Sequence, residues 1–430
     1  MQLDIQYFKT RLYINIYNGM MLILNYSIHI ASKYTNHKKT SKTRSFIIGQ
    51  QGLLQQIEND MQQDKVVPTY WFHAASLGEY AVARPIITAL KQKQNCRVVM
   101  TFFSPTGYEA LKEVHPGIDY LYYLPLDTPT NVRRFINAVQ PNKVVFIISE
   151  YWCNYLFELQ KRDIPTYLIS GMIRKNTIFF KWYGVLYRKA LTAFTHFMVL
   201  DKTSQQHLNA LGFSNVTVTG DPLFDNAIAI AQKEWNNPII ERFVQQGDTF
   251  IAGSISDEKD LTFVSSLANR HRDIHFIFVP HEISHECLLR IKYKLRGYAL
   301  CYSECDENTD FSQTQVLIID FLGALAYIYR YAQWAYIGGG FTPYLHSVIE
   351  ATVYGLPVSF GPKIYRKVTP QQMIELGIGQ TVKKPSELFQ WFEKLRHNTS
   401  ALQNIQSIAK NYVENNAGAT EKIVDKIIKG

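Results

Sequence analysis

The sequence predicts an α/β protein with two doubly wound parallel-sheet domains facing a cleft, and a membrane-associated helix at the N-terminus. From residue 70 onward, short and almost continuously apolar runs alternate with amphipathic stretches. Strands of this kind, separated by helices, are typical of a parallel sheet covered on both faces. The alternation restarts near residue 249, and 430 residues exceed what one ordinary hydrophobic core supports.

Twelve apolar runs are strand candidates, six in each half of the chain. They span 70–75, 97–103, 120–125, 143–149, 165–170 and 196–200, then 249–254, 274–280, 298–303, 316–320, 334–340 and 356–361. Residues 220–238 between the two series are polar and turn-rich, which predicts a hinge. The sequence therefore predicts an N-terminal segment over 1–45, a first domain over 46–220 and a second over 221–430 that ends in helices.

The N-terminal segment has the features of a membrane contact. Residues 12–31 are about as long as a bilayer core requires. As a helix, the segment would gather four polar side chains into one stripe: Asn15, Asn18, Asn25 and His29. A basic cluster follows between Lys33 and Arg44. The stripe favours a helix lying in the interface against anionic lipid. A spanning anchor with its basic side in the cytoplasm and a buried globular helix are the alternatives.

Composition excludes several classes of protein. With 47% hydrophobic and 19% charged residues, the chain is a packed globular protein and not a disordered one. Its five cysteines are dispersed without a Cys-x-x-Cys pair, which argues against a disulfide framework and a structural zinc site. The net charge of +9 is concentrated near the N-terminus, so it favours attraction of one segment to a surface over nucleic-acid binding.

The first candidate for chemistry is the stretch Ser76-Leu77-Gly78-Glu79, directly after the first predicted strand. Ligands of open parallel sheets bind at the carboxyl ends of strands, and a lone carboxylate there suits a general base. Gly78 permits a tight turn and leaves space beside the carboxylate. The alternative is a capping box, in which Ser76 and Glu79 satisfy the first amides of a helix.

Glu150 follows the fourth predicted strand, close to Trp152. It could bind substrate or support Glu79. Equally, it could be a solvated residue at the positive end of a helix. The residues alone leave these two interpretations open.

Two glycine-containing turns in the second domain predict a phosphate site. Gly253 and Ser254 lie between a strand and a helix start, which presents free amides to an anion. The alternative is that Ser254 or Ser256 only caps the helix. The second turn is glycine-rich and precedes a predicted helix that carries three polar side chains. Its residues are Gly339, Gly340, His346, Ser347 and Glu350.

Two histidine patterns raise the question of a metal. His346 and Glu350 are four residues apart and would share a helix face, but a third ligand is not evident in the sequence. The stretch His281-Glu282-Ile283-Ser284-His285 matches the metalloprotease pattern His-Glu-x-x-His. It follows Pro280 at the end of a strand, however, and not the middle of a helix. We therefore favour His281 as part of a nucleotide site and expect no metal.

Several stretches, in order along nearly the whole chain, resemble the 3-deoxy-D-manno-octulosonic acid (Kdo) transferases. They are FHAASLGEY (72–80), LPLDTPTNVRRFINAVQPNKVVFIISEYW (124–152), GDPLFDN (220–226), AGSISDE (252–258), VPHE (279–282) and GGGFTPYLHSVIEATVYGLPVSFGP (338–362). The resemblance implies a GT-B glycosyltransferase with two Rossmann-like domains. The first would bind a lipid A precursor, and the second would bind CMP-Kdo.

The resemblance also implies roles for residues. Glu79 matches the family's general base, in a motif that includes Ser76 and Gly78, and Glu150 matches the second glutamate of a Glu-Thr-Glu-Leu-Trp motif. Pro280 and His281, the stretch Gly323, Ala324 and Leu325, and the stretch Ser347 to Glu350 fall where the family holds CMP. The implied setting is the cytoplasmic face of the bacterial inner membrane, with inversion at the anomeric carbon and no metal or other cofactor.

The sequence departs from the family pattern at several positions. Ile148 replaces the first glutamate of the five-residue motif, and Leu223 stands where the family usually has Arg or Lys. Ser347 replaces the usual Asn, and 342–344 replace a glycine-containing turn. Arg174 is a candidate to supply the missing positive charge. A GT-B transferase that uses another nucleotide sugar and a nucleotide-binding protein without activity are the alternative functions.

Overall fold

The structure is a computed structural model that describes residues 2–34, 42–62, 67–113, 115–364 and 367–430. It divides into two compact units, residues 1–226 with 417–430 and residues 227–416. Each unit contains a seven-stranded sheet whose neighbouring strands all run parallel. The predicted α/β class with two doubly wound domains is confirmed.

The first sheet has the order β3-β2-β1-β4-β5-β6-β7. Its strands are β1 (Thr69–Ala74), β2 (Arg97–Phe102), β3 (Tyr120–Tyr123), β4 (Lys143–Ile147), β5 (Thr166–Gly171), β6 (His196–Val199) and β7 (Val216–Val218). The strand order reverses between β1 and β4, which is where open α/β sheets bind their ligands. The register sets His73 of β1 between Thr101 of β2 and Phe146 of β4.

Among the described residues, ten α-helices begin within residues 1–226 of the first unit. They are α1 (Gln2–Tyr34), α2 (Lys42–Gly49), α3 (Leu53–Asp60), α4 (Leu77–Lys93), α5 (Pro105–Leu111), α6 (Pro129–Val139), α7 (Cys153–Lys161), α8 (Val185–Leu191), α9 (Lys202–Ala210) and α10 (Pro222–Gln232). Helix α6 shows how local residues determine where a helix starts. Pro129 occupies the first turn, and the Thr128 hydroxyl caps the helix by accepting the Asn131 N–H.

The second sheet has the order β10-β11-β9-β8-β12-β13-β14 and reverses between β8 and β12. Its strands are β8 (Thr249–Ile255), β9 (His275–Pro280), β10 (Tyr298–Cys301), β11 (Thr314–Ile318), β12 (Trp334–Ile337), β13 (Val358–Phe360) and β14 (Gly379–Thr381). Its helices are α11 (Pro238–Val244), α12 (Glu258–Arg270), α13 (His285–Lys294), α14 (Leu325–Ile328), α15 (Ile349–Thr352), α16 (Val368–Glu375), α17 (Pro385–Arg396) and α18 (Thr399–Asn415).

All twelve predicted strands are present, with ends shifted by a few residues. The sequence missed β7 and β14, which have only three residues each. The turn-rich structure predicted for 220–238 is wrong, because most of the segment forms α10, while a hinge between the two halves stays a prediction. Pro222 starts that helix, and alternating alanines and isoleucines continue it. The division between the two units falls inside this helix.

The last helix, α19 (Ala419–Lys429), belongs to the first unit and not to the second domain as predicted. Ile423, Val424 and Ile427 are fully buried in the hydrophobic cluster on one face of the first sheet. The start of α19 is fixed by Asp225, whose carboxylate accepts the Gly418 and Thr420 N–H groups, both at 2.6 Å. The C-terminus therefore returns to complete the first core.

Helix α1 has a packed face and an exposed apolar face. Tyr13, Ile14 and Tyr17 pack against the first core, and the Tyr17 hydroxyl donates to the buried Asp127 carboxylate at 2.6 Å. The opposite face exposes large apolar side chains, each at least half exposed: Leu12, Ile16, Met20 and Ile23. We call these four residues the α1 apolar face.

Of the predicted polar stripe, Asn18 and Asn25 are partly buried while Asn15 and His29 are exposed. Of the predicted basic cluster, residues 35–41 lie outside the described residues. None of the helices in the described ranges combines the length and the apolar character needed to cross a membrane.

The packing of α19 predicts that Ile423→Ala lowers the free energy of unfolding of the first unit by about 2–5 kcal/mol, because the change leaves a cavity in a closed core. Lys422→Ala, at an exposed position on the same helix, is the matched control and is expected to be nearly neutral. Urea denaturation followed by circular dichroism measures both. Equal unfolding curves for the two variants would contradict the assignment of α19 to this core.

Candidate functional site

The turn from β1 to α4 presents Glu79 at the reversal point of the first sheet. Ser76 is the N-cap residue of α4, but its hydroxyl accepts no capping hydrogen bond. Glu79 instead turns back, and its Oε2 accepts the Ala75 N–H at 2.5 Å. The predicted capping box is therefore wrong, because the Ser76 hydroxyl accepts no amide and Glu79 accepts the N–H of Ala75 instead of that of the N-cap residue Ser76. At Gly78 an added Cβ would have only the Ser76 Oγ within 4 Å, so the space beside the carboxylate is open.

The environment of Glu79 makes its carboxylate unusually basic. Burial, and secondarily the negative charge of Glu150, raise the pKa of Glu79 to about 8, and the Ala75 hydrogen bond opposes this change. Burial and a like charge both disfavour an ionised carboxylate. A carboxylate with a pKa near the working pH can take a proton from a hydroxyl and release it afterwards.

Glu150 lies beyond the end of β4, two residues before the N-cap residue Trp152 of α7. Its Oε2 lies 3.1 Å from the His73 Nε2 and accepts the Trp152 indole N–H at 2.7 Å. The alternative of a solvated helix-start glutamate is wrong, because the Glu150 side chain is only 14% exposed. Its charge acts on Glu79, which supports the prediction that the two glutamates function together.

His73 and Thr101 complete this group, and neither was a candidate from the sequence. His73 is fully buried, with its Nδ1 2.9 Å from the Thr101 hydroxyl and 3.1 Å from the Thr101 carbonyl oxygen. The Trp71 indole N–H donates to the same hydroxyl at 2.8 Å. One signal was available: a histidine in the middle of an otherwise apolar strand must find hydrogen-bond partners in the core.

In the second unit, the ends of β8 and β12 approach so closely that glycine is required. A Cβ on Gly338 would lie 2.0 Å from the Ser254 carbonyl oxygen, and one on Gly340 would lie 2.5 Å from the Gly361 nitrogen. Gly339 has a φ of 86°, in the left-handed region that favours glycine. The three glycines are buried and permit this close packing of the strand ends, and their role in a nucleotide site stays a prediction.

Asp260 ties these two strand ends together. Its carboxylate accepts the Gly339 N–H at 2.8 Å, the Ser256 N–H at 3.1 Å and the Tyr336 hydroxyl at 2.7 Å. The residue is fully buried, and burial raises the pKa of its carboxyl. The predicted capping role of Ser254 or Ser256 is wrong, because α12 begins at Glu258 and Asp257 caps it.

His346 and His281 meet beside these turns. Their ring centroids are 4.6 Å apart, and the His346 Nε2 lies 2.8 Å from the Ser256 hydroxyl. Burial, with the positive charges of His281 and Lys367, lowers the pKa of His346 to about 4. His346 is therefore neutral at physiological pH. The His281 N–H donates to the Ile255 carbonyl at 2.9 Å, which holds Pro280 and His281 at the end of β8.

Glu350 does not share a helix face with His346, as the sequence predicted, because α15 begins only at Ile349. His346 and Ser347 precede the helix in an extended loop. Burial raises the pKa of Glu350 to about 7. Its charge also acts on Tyr329, whose hydroxyl lies 2.0 Å from the position of a Cβ added to Gly253. Glu350 thus belongs to the same region as Gly253.

The remaining predicted nucleotide residues lie before and at the start of α14. Gly323 has a φ of 87° and open space where a side chain would begin. Ala324 is the N-cap residue of α14, and Leu325 is its first residue. The Leu325 Cδ1 lies 3.1 Å from the position of a Cβ added to Gly253, so α14 packs beside the end of β8.

The metal patterns do not form metal sites in the described part of the chain, where no group of three or more His, Cys, Asp or Glu residues could hold a metal ion. In the metalloprotease-like stretch, His281 lies in the turn after β9 and His285 begins α13. The two histidines therefore do not lie on one helix, as the protease motif requires.

Comparison of the sequence with known proteins finds similarity to one family. Residues 48–226 match the family model described as 3-Deoxy-D-manno-octulosonic-acid transferase (kdotransferase). A 3-deoxy-D-manno-octulosonic acid transferase of Haemophilus influenzae is 23% identical over 371 residues, which cover 83% of this chain and 85% of that protein. Another from Aquifex aeolicus is 26% identical over 324 residues, 74% of this chain and 83% of that protein. These matches support membership of the chain in the Kdo transferase family.

A solved structure supports the fold of this chain. The UDP-GlcNAc 2-epimerase of Neisseria meningitidis, bound to UDP-GlcNAc, matches with a TM-score of 0.59 at 15% identity. The match covers 84% of this chain and all of that one. At this identity the likeness concerns the fold alone, and it confirms the GT-B architecture of two Rossmann-like domains.

The residues that depart from the Kdo transferase pattern have identifiable surroundings in the structure. Ile148 and Leu223 are both partly buried against the same hydrophobic cluster of the first sheet. Ile148 has a φ of 61°, which is strained for a β-branched residue. Arg174 forms an ion pair with Asp201 at 3.0 Å, so its charge is already balanced. Its role as a substitute for the missing cation stays a prediction.

The raised pKa of Glu79 predicts a pH-dependent effect on stability. The folded state holds the Glu79 proton up to about pH 8, whereas the unfolded chain releases it near the ordinary pKa of 4.5. Between these values folding takes up a proton, so stability falls as pH rises, by at most about 1.4 kcal/mol per pH unit. We expect Glu79→Gln to become progressively more stabilising from pH 5 to pH 8 in urea denaturation.

The matched control for this measurement is Glu113→Gln, at an exposed position of the same unit. Its effect is expected to be small and independent of pH. A Glu79→Gln effect that also stays constant from pH 5 to pH 8 would show that Glu79 has an ordinary proton affinity.

Proposed function

We propose that the protein is an inverting glycosyltransferase that moves Kdo from CMP-Kdo to a lipid A precursor in lipopolysaccharide core synthesis. The observation that carries the proposal is the environment of Glu79: a basic carboxylate at the reversal point of the first sheet, held by a backbone amide and accompanied by Glu150. Together with the family assignment, this favours proton removal from an acceptor hydroxyl.

In the proposed reaction, Glu79 takes the proton of a sugar hydroxyl on the acceptor. The hydroxyl oxygen forms a bond to the anomeric carbon of Kdo as the bond between that carbon and the CMP phosphate oxygen breaks. CMP leaves with the electron pair of the broken bond, and the configuration at the anomeric carbon inverts. The step requires ionised Glu79, so the rate is expected to rise with pH through about 8.

The second unit is the proposed donor domain. Its turns with Gly253, Gly339 and Gly340 lie at the edge of the second sheet where the strand order reverses between β8 and β12, which is where open α/β sheets bind their ligands. Neutral His346 and the Ser256 hydroxyl can bind polar atoms of the nucleotide, and Glu350 can accept hydrogen bonds from ribose hydroxyls. Ser254, Pro280, His281, Ser347 and the 323–325 stretch are proposed members of the same site. The residues do not call for a metal.

We further propose that the protein works at the cytoplasmic face of the inner membrane. The α1 apolar face, formed by Leu12, Ile16, Met20 and Ile23, is exposed on a helix whose other side packs on the first core. The seven basic residues between positions 5 and 57 occur without an acidic one. An apolar helix face with nearby cations favours binding at the surface of an anionic bilayer.

Activity tests the proposal directly. Glu79→Gln is expected to slow CMP release from CMP-Kdo, in the presence of a lipid A precursor, by about 10²- to 10⁴-fold. Binding of CMP, measured by calorimetry, is expected to stay unchanged because Glu79 lies outside the proposed donor domain. Glu113→Gln is the control for the assay.

Three outcomes would contradict the proposal. Equal rates for Glu79→Gln and the wild type would place the base elsewhere. If the wild type binds CMP but never releases it from CMP-Kdo, the protein is a nucleotide-binding member without transferase activity. Protection from heat by UDP but not by CMP would identify another nucleotide sugar as the donor.

Membrane binding is tested with vesicles of phosphatidylethanolamine and phosphatidylglycerol. The double variant Ile16→Glu/Ile23→Glu is expected to bind these vesicles at least about tenfold more weakly, because it places two charges on the α1 apolar face. The control is Leu289→Glu, at an exposed position of a helix in the second unit. If both variants sediment with vesicles as the wild type does, the α1 apolar face is not the contact.

A further inference from the structure

The arrangement of His73 raises the question of where its protons are. The Thr101 carbonyl oxygen, 3.1 Å from Nδ1, can only accept a hydrogen bond. The Thr101 hydroxyl, 2.9 Å from Nδ1, accepts the Trp71 indole N–H and donates its own hydrogen to the Phe72 carbonyl oxygen at 3.4 Å. Nδ1 therefore carries a proton, which it directs to Thr101.

The other ring nitrogen faces a carboxylate. His73 Nε2 and Glu150 Oε2 are 3.1 Å apart, and the His73 side chain is fully buried. Without a proton between them, an imidazole lone pair would face a carboxylate oxygen where solvent cannot screen the repulsion. The Trp152 indole N–H, 2.7 Å from Oε2 and 3.0 Å from Nε2, supplies one hydrogen to this corner. The Trp152 hydrogen is best directed at the nearer acceptor, Oε2. A second proton is then needed between Nε2 and Oε2.

We propose that His73 is a positioning residue that shares a second ring proton with Glu150, so that the His73–Glu150 pair is neutral overall and Glu79 is left as the group that ionises. This proton lies on Nε2 and is directed at Oε2, so that the charges of the imidazolium and the Glu150 carboxylate sum to zero. The inference about the ionisation of Glu79 rests on the proposed function. The inference that His73 and Glu150 share a proton does not depend on that function.

The ionisable groups around Glu150 explain why a proton shared between His73 and Glu150 matters. Glu79 from the start of α4 and Tyr151 from the loop after β4 face Glu150, and β2 contributes the neutral Thr101. The charge of Glu150 acts on Glu79 to raise its pKa. A proton shared with His73 weakens that effect and keeps Glu79 able to ionise in the physiological range.

The proton count is tested by ¹⁵N NMR of the full chain labelled at its 12 histidines. His73→Gln identifies the His73 signals by their loss. We expect both His73 ring nitrogens to show a bound or shared proton at pH 7. In Glu150→Gln, which offers an amide in place of the carboxylate, Nε2 is expected to change to the unprotonated form. An unprotonated Nε2 in the wild type as well would overturn the proposal and leave the Trp152 hydrogen shared by both acceptors.

The consequence for the base is tested by the pH dependence of kcat/KM. In His73→Gln the side-chain amide can still donate to Glu150 but carries no ionisable proton. The charge of Glu150 is then uncompensated and raises the pKa of Glu79. The acidic limb of the kcat/KM profile is therefore expected to move to a pH about one unit higher, which slows the reaction about tenfold at pH 7. In the double variant His73→Gln/Glu150→Gln the unpaired charge is gone, and the limb is expected to return to the wild-type position.

The comparison separates positioning from a merely structural role. A rate reduced equally at all pH values in His73→Gln, with no return of the limb in the double variant, would overturn the positioning role. Thermal unfolding of each variant checks that it is folded. If His73→Gln does not fold, the wild type and Glu150→Gln still decide the proton count by NMR. If the wild type shows no Kdo transfer, the proposed function fails while the NMR result stands.

Discussion

The reversal of strand order beside the first strand of each sheet is the constraint on which both candidate sites depend. In the first sheet it brings the end of β1, with Glu79, beside the end of β4, with Glu150. In the second sheet it brings Ser254 at the end of β8 beside Gly338 after β12. Parallel strands direct their carboxyl ends to the same edge, so residues far apart in the chain converge without long loops.

Burial gives these convergent groups their unusual chemistry. A carboxylate removed from water is costly unless hydrogen bonds or charges compensate it. Asp260 is compensated by two backbone N–H groups and a tyrosine hydroxyl, and it serves as a fixed connection between two strand ends. Glu79 is compensated by one backbone N–H group and opposed by Glu150, so its proton affinity rises. Burial raises the pKa of both carboxyl groups, but Asp260 has three hydrogen-bond donors where Glu79 has one.

The departures from the family pattern also follow from burial. Ile148 and Leu223 replace residues that are charged in the pattern, and both pack against the same hydrophobic cluster. An apolar side chain at each position is thus accommodated by the core of the first unit. The positive charge of Arg174 is held by Asp201, which also caps α9.

The sequence by itself determined the α/β class, twelve of the strands, the two glycine turns and the candidates Glu79 and Glu150, because each depends on a local pattern of apolar periodicity, glycine or proline.

Tertiary structure decided the features that had no local signal in the sequence. Residues 417–430 joined the first unit because Ile423 and Ile427 fill its core and Asp225 holds the helix start. Asp257, not Ser254 or Ser256, became the cap of α12, since the strand β8 extends through Ile255. His73 became a partner of Glu150 only because the sheet register sets β1 between β2 and β4. Hydrogen bonds between distant strands depend on the register of the whole sheet, which no short stretch of sequence encodes.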